Sequence, residues 1–367
     1  VSVEKTFKVR VEAVDMDDML TASCQSLTFT QTTSNALSEA EIVFRIKSLY
    51  DGKQIYDVLP KETVKGKTVK FQIFDMDDQA MTRKHSHVYV DHRLNYNNRG
   101  EAYSLTLFTR EQCKNDMKVA EKCRAHEYEK LSDMVESILG ENGFSVKSVQ
   151  KTTAIPEFKV LRQPYISDYD FIVNEVNARA QSEDGSSGFR LFTIDGVEAI
   201  WSVIGDDAEE KTVDDDMVVE VIPSRRAQWV AESGSAVHQV TGFDMDSKVP
   251  LLAKKGPDVS NSYGDMAIPE PYDKSESYTH SAFTSQDAID SFALRCQYKE
   301  VYAAFPFVVV VRGSEGWDEV PYNLTVNVVH EQGGGSLRGY ASTIKHIYRV
   351  GEYRVHITCL RDKGGSL

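Results

Sequence analysis

Short runs in which apolar and polar residues alternate, repeated near both ends of the chain, restrict the fold more than any other feature. Residues 5 to 14 set Phe7, Val9, Val11 and Ala13 against Lys8, Arg10 and Glu12, and a period of two marks a strand with one buried face. The pattern recurs at Leu27/Phe29, Ile42/Phe44/Ile46, Val69/Phe71/Ile73 and Tyr103/Leu105/Leu107, with a further strand at His87 to Asp91. Five or six short strands separated by polar turns predict a small antiparallel barrel or sandwich over residues 1–110.

Between residues 111 and 205 the period changes. Leu131, Met134, Val135, Ile138 and Leu139 recur at helical spacing, and Gly140 and Gly143 follow as stop signals. Ser167 with Asp170 three residues on forms a capping box, and Tyr169, Ile172, Val173, Val176 and Ala180 give the following helix its apolar stripe. The segment FRLFTIDGVEAIWSVI reads as a hairpin whose Asp195-Gly196 supplies the positive φ values of a two-residue type I′ turn. These elements predict an α/β middle domain.

Strands return at 217–222, 306–312, 322–329, 340–350 and 352–361, the last with Tyr353, Val355, Ile357 and Cys359 on one face. Thr284 with Asp287 opens one more helix, carrying Ala288, Ile289, Phe292, Ala293 and Cys296. Residues 244–284 hold Pro250, Pro257, Pro269 and Pro271 without periodicity, and predict a long irregular insertion in a second barrel at 206–367. The expected fold is mainly β, two small antiparallel β-barrels flanking an α/β domain.

At 367 residues the chain is long enough for two or three domains. Its 42 Lys plus Arg against 56 Asp plus Glu leave a net charge of -14, which opposes sequence-blind binding to phosphate backbones. No apolar run is long enough to span a bilayer as a helix. The opening VSVEKTFKVRVEAV lacks the charged and apolar regions of a signal peptide, so synthesis in a cytosol is the expectation. Cys24, Cys113, Cys123, Cys296 and Cys359 are odd in number and far apart, and predict neither a disulfide framework nor a zinc knuckle.

Asp15-Met-Asp17-Asp18, Asp75-Met-Asp77-Asp78 and Asp244-Met-Asp246 repeat an acidic pattern, but none has the further alternating acids and turn glycine of a Ca²⁺ loop. They read as solvated hairpin turns. His85 and His87 share one strand face with His92 nearby, and on an edge strand such a pair is solvated unless a third ligand completes a metal site. Zinc-protease, nucleophile-elbow, P-loop and dinucleotide-binding motifs are all absent from the sequence. Gly333, Gly334 and Gly335 fall between two predicted strands and read as a turn. DDAEEKTVDDD, residues 206–216, has seven acids and one lysine, and reads as a solvated interdomain loop or a deliberately negative surface. No catalytic, cofactor-binding or metal-ligating residue is assigned, and no enzyme activity or cofactor is expected.

The order of these segments resembles the baseplate hub family of contractile-tailed phages, which also forms the N-terminal half of type VI secretion spike proteins. SLTFTQTTSNALSEAEIVFRI is similar to the family's early strand pair, and LSDMVESILGENGF to the helix after its first barrel. FKVLRQPYISDYDFIVNEVNARA resembles the most diagnostic stretch, in which Gln163 precedes Ser167-Asp168-Tyr169-Asp170-Phe171. Gly339-Tyr340 through Lys345-His346, then Gly351-Glu352-Tyr353 and Arg361, resemble the closing strands. Pro321-Tyr322 departs from the family's usual Pro-Gly, and the 244–284 loop is longer than the family's pattern suggests.

The resemblance implies a tail-hub fold and a homotrimer whose two barrels per subunit form a pseudo-sixfold ring between a sixfold tail tube and a threefold spike. Its implied partners are the tail tube protein and the central spike protein, with the tape-measure and baseplate wedge proteins as further candidates. DNA would pass through the lumen without specific binding, and the acidic surplus would help it slide. The implied location is the virion tail baseplate, assembled in the host cytoplasm. Only six residues follow Arg361, which implies a spike on a separate polypeptide. Phe171 and Ile172 are expected to pack, and Asp168 and Asp170 to favour the helix N-terminus. Two other readings stay open, a β-rich glycan-binding or receptor-binding tail protein and a cell-wall hydrolase. Trp201, Trp229 and Trp317 share no platform motif that would favour the first of them.

Overall fold

The computed structural model describes residues 7–13, 23–33, 35–46, 49–50, 53–54, 66–154, 160–184, 188–203, 209–213, 216–223, 237–244, 247–255, 275–279, 307–318, 322–330 and 333–361, with isolated helical positions between 286 and 293. The described residues of the first part of the chain contain β1 (Phe7–Ala13), β2 (Cys24–Thr32), β3 (Glu39–Arg45), β4 (Leu49–Tyr50), β5 (Lys53–Gln54), β6 (Thr68–Asp75), β7 (His85–Tyr96) and β8 (Ala102–Glu111). The middle holds α1 (Gln112–Val119), β9 (Glu121–Glu127), α2 (Leu131–Glu141), β10 (Ser145–Val149) and β11 (Val160–Ser167). A helix α3 follows, α-helical at Asp168–Asp170 and Asn177–Arg179 and π-helical at Phe171–Val176 between them, and then β12 (Phe189–Thr193) and β13 (Glu198–Val203). The last part contains β14 (Glu209–Val213), β15 (Val218–Pro223), β16 (Val237–Asp244), β17 (Val249–Lys255), β18 (Ser275–Thr279), β19 (Phe307–Arg312), β20 (Tyr322–His330), β21 (Gly333–Arg349) and β22 (Glu352–Arg361).

The alternation does what a period of two requires. Val9 and Val11 point inward opposite Val69, Phe71 and Ile73, while Lys8, Arg10 and Lys70 take the other face. Val355, Ile357 and Cys359 are fully buried beside Tyr353. Tyr103 is the exception in its strand, 51% exposed while Leu105 and Leu107 are buried.

The two groups of strands are joined to one another. Six strands in the order β1-β6-β7-β8-β3-β2 form the first set, with its ends β1 and β2 approaching one another, and β14-β20-β21-β22-β19-β15 form the second. The sets join edge to edge through β2 and β21, from Ser26↔Arg349 to Thr32↔Thr343. β21 reaches both because it is 17 residues long: its first half pairs with β20 and its second half with β2, while β22 follows its other edge. The register shifts between Ala341 and Thr343, where β21 changes partner, and an extra residue in one strand supplies the local twist that such a change needs. Phe29, Phe71 and Leu105 consequently share one hydrophobic core with Val309, Ile344 and Ile357.

The middle region has a core of its own, built from Leu131, Val135, Ile138, Phe171, Ile172, Val176, Phe189 and Trp201. α2 and α3 present the expected stripes, and Ser167 Oγ accepts from the Asp170 N–H at 3.0 Å as the capping box requires. The β12–β13 hairpin differs from a type I′ turn. Only Gly196 has positive φ, at +85°, and the loop is three residues, Asp195 to Val197. Asp195 Oδ1 accepts from the N–H groups of Val197 and Glu198, at 3.0 and 2.8 Å, so its side chain closes the turn.

Three further expectations change. Within 244–284, β17 and β18 flank β16 in a three-stranded sheet, and Pro250 is tolerated because β17 is an edge strand whose outer side needs no N–H donor. The glycines 333–335 lie inside β21, paired with β20, rather than in the turn before it. In the acidic run, Glu209 to Val213 form β14, which pairs in parallel with β20. Gln286, Ile289, Asp290, Phe292 and Ala293 are helical, with Ile289 and Ala293 buried against Val240 and Ala253. Ala288 and Cys296 lie outside the described residues, as do Asp15, Asp17, Asp18, Asp246 and Trp229.

Candidate functional site

One group of buried polar side chains lies where the two strand sets and the middle region meet. His85 and His87 are here, both 1% exposed. They were expected on a solvated edge, but β7 lies between β6 and β8, so its inward side chains face the core. His85 Nε2 donates to Asp318 Oδ2 at 3.1 Å. Phe29 stacks on His346 with centroids 4.1 Å apart and also meets His85 at 4.5 Å. Gln31 donates to the carbonyls of Ile194, at 2.6 Å, and Asp318, at 3.4 Å, and its Oε1 lies 2.9 Å from His346 Nε2.

Electrostatics follow from this burial. Removal from water drives the pKa of His346 down to about 3, against the opposing pull of Asp318. His87 falls to about 3 for the same first reason, with the charge of His85 adding to it. Burial works to raise Asp318, but the hydrogen bond and charge of His85 and the Arg83 N–H outweigh it and hold the carboxyl below the usual carboxylate range. This network ties elements together. Among the described residues no group of three or more His, Cys, Asp or Glu could hold a metal ion.

The diagnostic stretch builds a second network in the middle region. Asp168 has a fully buried carboxylate that accepts from Arg124 at 2.9 Å, Asn142 at 2.8 Å and Gln163 at 2.9 Å, and it also pairs with Lys122. Burial alone would raise its pKa, but these bonds from Lys122, Asn142 and Gln163 and the Arg124 charge lower it. Asp168 therefore binds the cations of β9, while Ser167 caps α3 and donates its hydroxyl to Asp170 Oδ2 at 2.7 Å. Gln163 Nε2 also donates to Ile166 O at 2.8 Å, spanning the bulge at Pro164 and Tyr165. Phe171 is fully buried and stacks on His126, 5.1 Å between centroids.

The acidic repeats take turn geometry where they are described. Asp75 Oδ1 accepts from the N–H groups of Asp77 and Gln79, both at 2.9 Å, and Asp244 accepts from Ser247. Trp201 and Trp317 are buried, at 0% and 2% exposure, so neither offers a stacking face to a sugar.

On the opposite side of the joined sheet, rows of mostly polar residues run continuously across the β2–β21 seam, with Val310 buried and Ile347 and Phe108 half-buried among them. Glu220, Val310, His356, Lys345, Thr30, Glu39 and Arg110 follow one another across seven strands. The next row is Arg312, Arg354, Ile347, Thr28, Glu41, Phe108 and Asp91. An open groove of about 450 Å³ spans the seam, lined by Thr30, Glu39, Glu41, Asp91, Arg110 and Lys345 among others. Sequence periodicity pointed these residues outward, but only strand order shows that they share a surface.

No protein-family model matches the chain, and no curated protein matches it in sequence. Its fold does match solved structures. A 43 kDa tail protein of prophage MuSo2 from Shewanella oneidensis superposes with a TM-score of 0.64 at 10% identity, over 98% of this chain and 100% of that one. A tail protein from Neisseria meningitidis MC58 gives 0.61 at 10% identity, over 97% of both chains. A chain of the Francisella PdpA-VgrG complex gives 0.54 at 9% identity, and here the protein spans 99% of its own length but 54% of the other. The chain thus has the mainly β fold of these tail and VgrG-complex proteins, in line with the hub-like resemblance of its sequence.

Proposed function

We propose that the chain is a structural hub subunit of a phage-type contractile tail or related injection machine. Three copies would form a ring between a sixfold tail tube and a threefold spike, in the virion tail, with the genome passing through the lumen. The observation that carries this reading is the presence of two six-stranded sets in one chain, joined through β21. Three copies supply six such sets, which is the symmetry match needed to seat a trimer on a hexameric partner. Fold likeness to tail proteins over nearly the whole chain supports the tail assignment. The role is architectural, since the polar groups gathered in the interior are engaged in holding elements together.

Light scattering on the purified chain, alone and with a tail tube protein, tests this. The expected mass is three times 41.3 kDa for the chain alone, or a larger complex built on that trimer once the tube protein is added. A monomer at micromolar concentration that does not shift with the tube protein would overturn it. The glycan-binding alternative loses ground because Trp201 and Trp317 are buried.

A further inference from the structure

One face of the joined sheet is basic on a chain whose net charge is -14. Arg312 of β19 lies directly opposite Arg354 of β22, and Lys345 and Arg349 of β21 take the same side; all four are exposed. Two carboxylates share this part of the face. Glu352 pairs with Arg354 and stands opposite Arg349, and Glu220 of β15 lies in the row of Val310, His356 and Lys345. Arg312 and Lys345 make no ion pair among the described residues. Like charges directly opposite one another destabilise a sheet, so the Arg312–Arg354 pair is unfavourable until an anion sits over it. The field reaches His356, whose pKa is lowered by burial and then by the charges of Lys345 and Arg354, with Glu220 opposing.

Across the seam, β2 sets hydroxyls beside these cations. Ser26 is the partner of Arg349 and Thr30 that of Lys345, with Thr28 between them. Arginine, lysine and small hydroxyl side chains are the groups that contact phosphate and sugar oxygens in nucleic-acid complexes. Binding of unpaired bases needs aromatic platforms instead. Among the described residues the exposed aromatic side chains are Tyr96, Tyr103, Tyr165 and Phe243, and none of them belongs to β2, β19, β21 or β22.

We propose that this face, built from Arg312, Arg354, Lys345 and Arg349 with the Ser26, Thr28 and Thr30 hydroxyls, is a contact surface for the phosphate backbone of duplex DNA. The inference rests on the genome-passage reading above and names the surface that would touch the genome. Charge complementarity argues for a polyanion, and the lack of exposed aromatics on these strands argues for a paired one. Arg312 and Lys345 are two strands apart, about 10 Å, and a duplex presents one charge per about 1.7 Å of its axis. Several phosphates therefore lie over the patch in any register, which suits a polymer that moves. Acid elsewhere on the chain does not cancel the contact, because charges beyond about 8 Å are largely screened at physiological ionic strength. It does keep the affinity low, so the DNA is guided rather than held.

Fluorescence anisotropy of a labelled duplex, with the full chain in about 0.02 to 0.2 M NaCl, tests the proposal. Two duplexes of unrelated sequence should bind within about twofold of one another, and the logarithm of affinity should fall against that of salt with a slope of about -3, as three or four phosphate contacts require. Arg312→Gln with Lys345→Gln and Arg349→Gln, which leaves the Arg354–Glu352 pair intact, should weaken binding at least tenfold and flatten that slope by about 2 to 3. Arg99→Gln with Lys147→Gln and Lys254→Gln removes as many exposed cations elsewhere and should change neither. Circular dichroism melts identify a variant that fails to fold. In that case Arg312→Gln and Lys345→Gln are made singly, each expected to lower the slope by about 1. Wild type that binds no duplex at low salt, or an equal loss in both triple variants, would overturn the proposal and leave the trimer to be judged by its mass. Poly-glutamate bound as tightly as DNA, and lost in the first variant, would assign the face to an acidic protein and overturn it too. A monomeric chain that still binds duplex through these residues would keep the phosphate surface and overturn the hub reading instead.

Discussion

His346 Nε2 lies 2.9 Å from Gln31 Oε1, and that contact ties the closing strands to the opening ones. The geometry dictates its polarity. Gln31 must turn its amide nitrogen to the carbonyls of Ile194 and Asp318, which can only accept, so its oxygen faces the histidine. His346 then carries its proton on Nε2, and Tyr353 donates its hydroxyl to Nδ1 at 2.7 Å. Gln31→Leu keeps the volume but strands the His346 N–H and the Ile194 carbonyl in a buried setting. A loss of about 2–4 kcal/mol in urea unfolding is expected, and an unchanged midpoint would show that the contact is incidental.

Acid should destabilise the fold well above the carboxylate range. His346 and His87 have folded pKa values near 3 against an ordinary 6.5. A depressed histidine leaves the unfolded state binding more protons, so its stabilising share is full above 6.5 and falls as the pH drops from there toward 3. Each contributes a slope of about 1.4 kcal/mol per pH unit in that window. Calorimetric melts at pH 7.5, 6 and 5 would measure it; for His346→Phe with His87→Phe, if folded, the slope between pH 6 and 5 should flatten. An identical slope in wild type and variant would refute this origin.

Gly196 is fixed by close approach as well as by backbone angle. Its φ is +85°, and a Cβ there would stand 2.2 Å from the carbonyl oxygen of Ser86. Neither atom can move cheaply, since Ser86 N–H donates to Asp195 O at 2.8 Å and Cys113 N–H to Gly196 O at 3.2 Å. Gly196→Ala should therefore cost about 2 kcal/mol or more and loosen the middle region from β7. Hydrogen exchange at the Ser86 and Cys113 amides would report it, and unaltered protection would argue against a docked turn.

What could be read in advance was whatever depends on neighbours in sequence. The alternation of Val355, Ile357 and Cys359 is a local code, and so is the Ser167–Asp170 cap. The larger departures concern order in space. His85 and His87 were placed on an edge because periodicity reports which face a residue takes and is silent about what lies on either side of its strand. The pairing of Phe29 with His346 joins segments over 300 residues apart, which no local pattern encodes. β17 was missed because Pro250 suggests a loop, although an edge strand accepts it.

Asp168 provides the sharpest test of the diagnostic stretch. Its side chain is fully buried, while Lys122 and Arg124 are 33% and 27% exposed at their side chains, so the carboxylate is the deep member that holds two cations together. Removing it by Asp168→Ala leaves Lys122 and Arg124 facing each other without the buried carboxylate between them, with only the half-exposed Glu141 still paired to Arg124. A loss of about 3–5 kcal/mol is expected, the range for breaking a buried pair by deleting one partner. Asp168→Asn, which can still accept from one donor, should lose less. The pH dependence separates charge from packing. The folded pKa of Asp168 is lowered from 3.8, so its contribution is full above that value and is lost as the pH falls through the folded one. Wild type and Asp168→Ala should therefore differ by a constant amount between pH 7 and 5 and converge under strong acid. A difference that persists unchanged into strong acid would mean that Asp168 acts through shape, and that the Gln163–Asp168 network is not an ionic one.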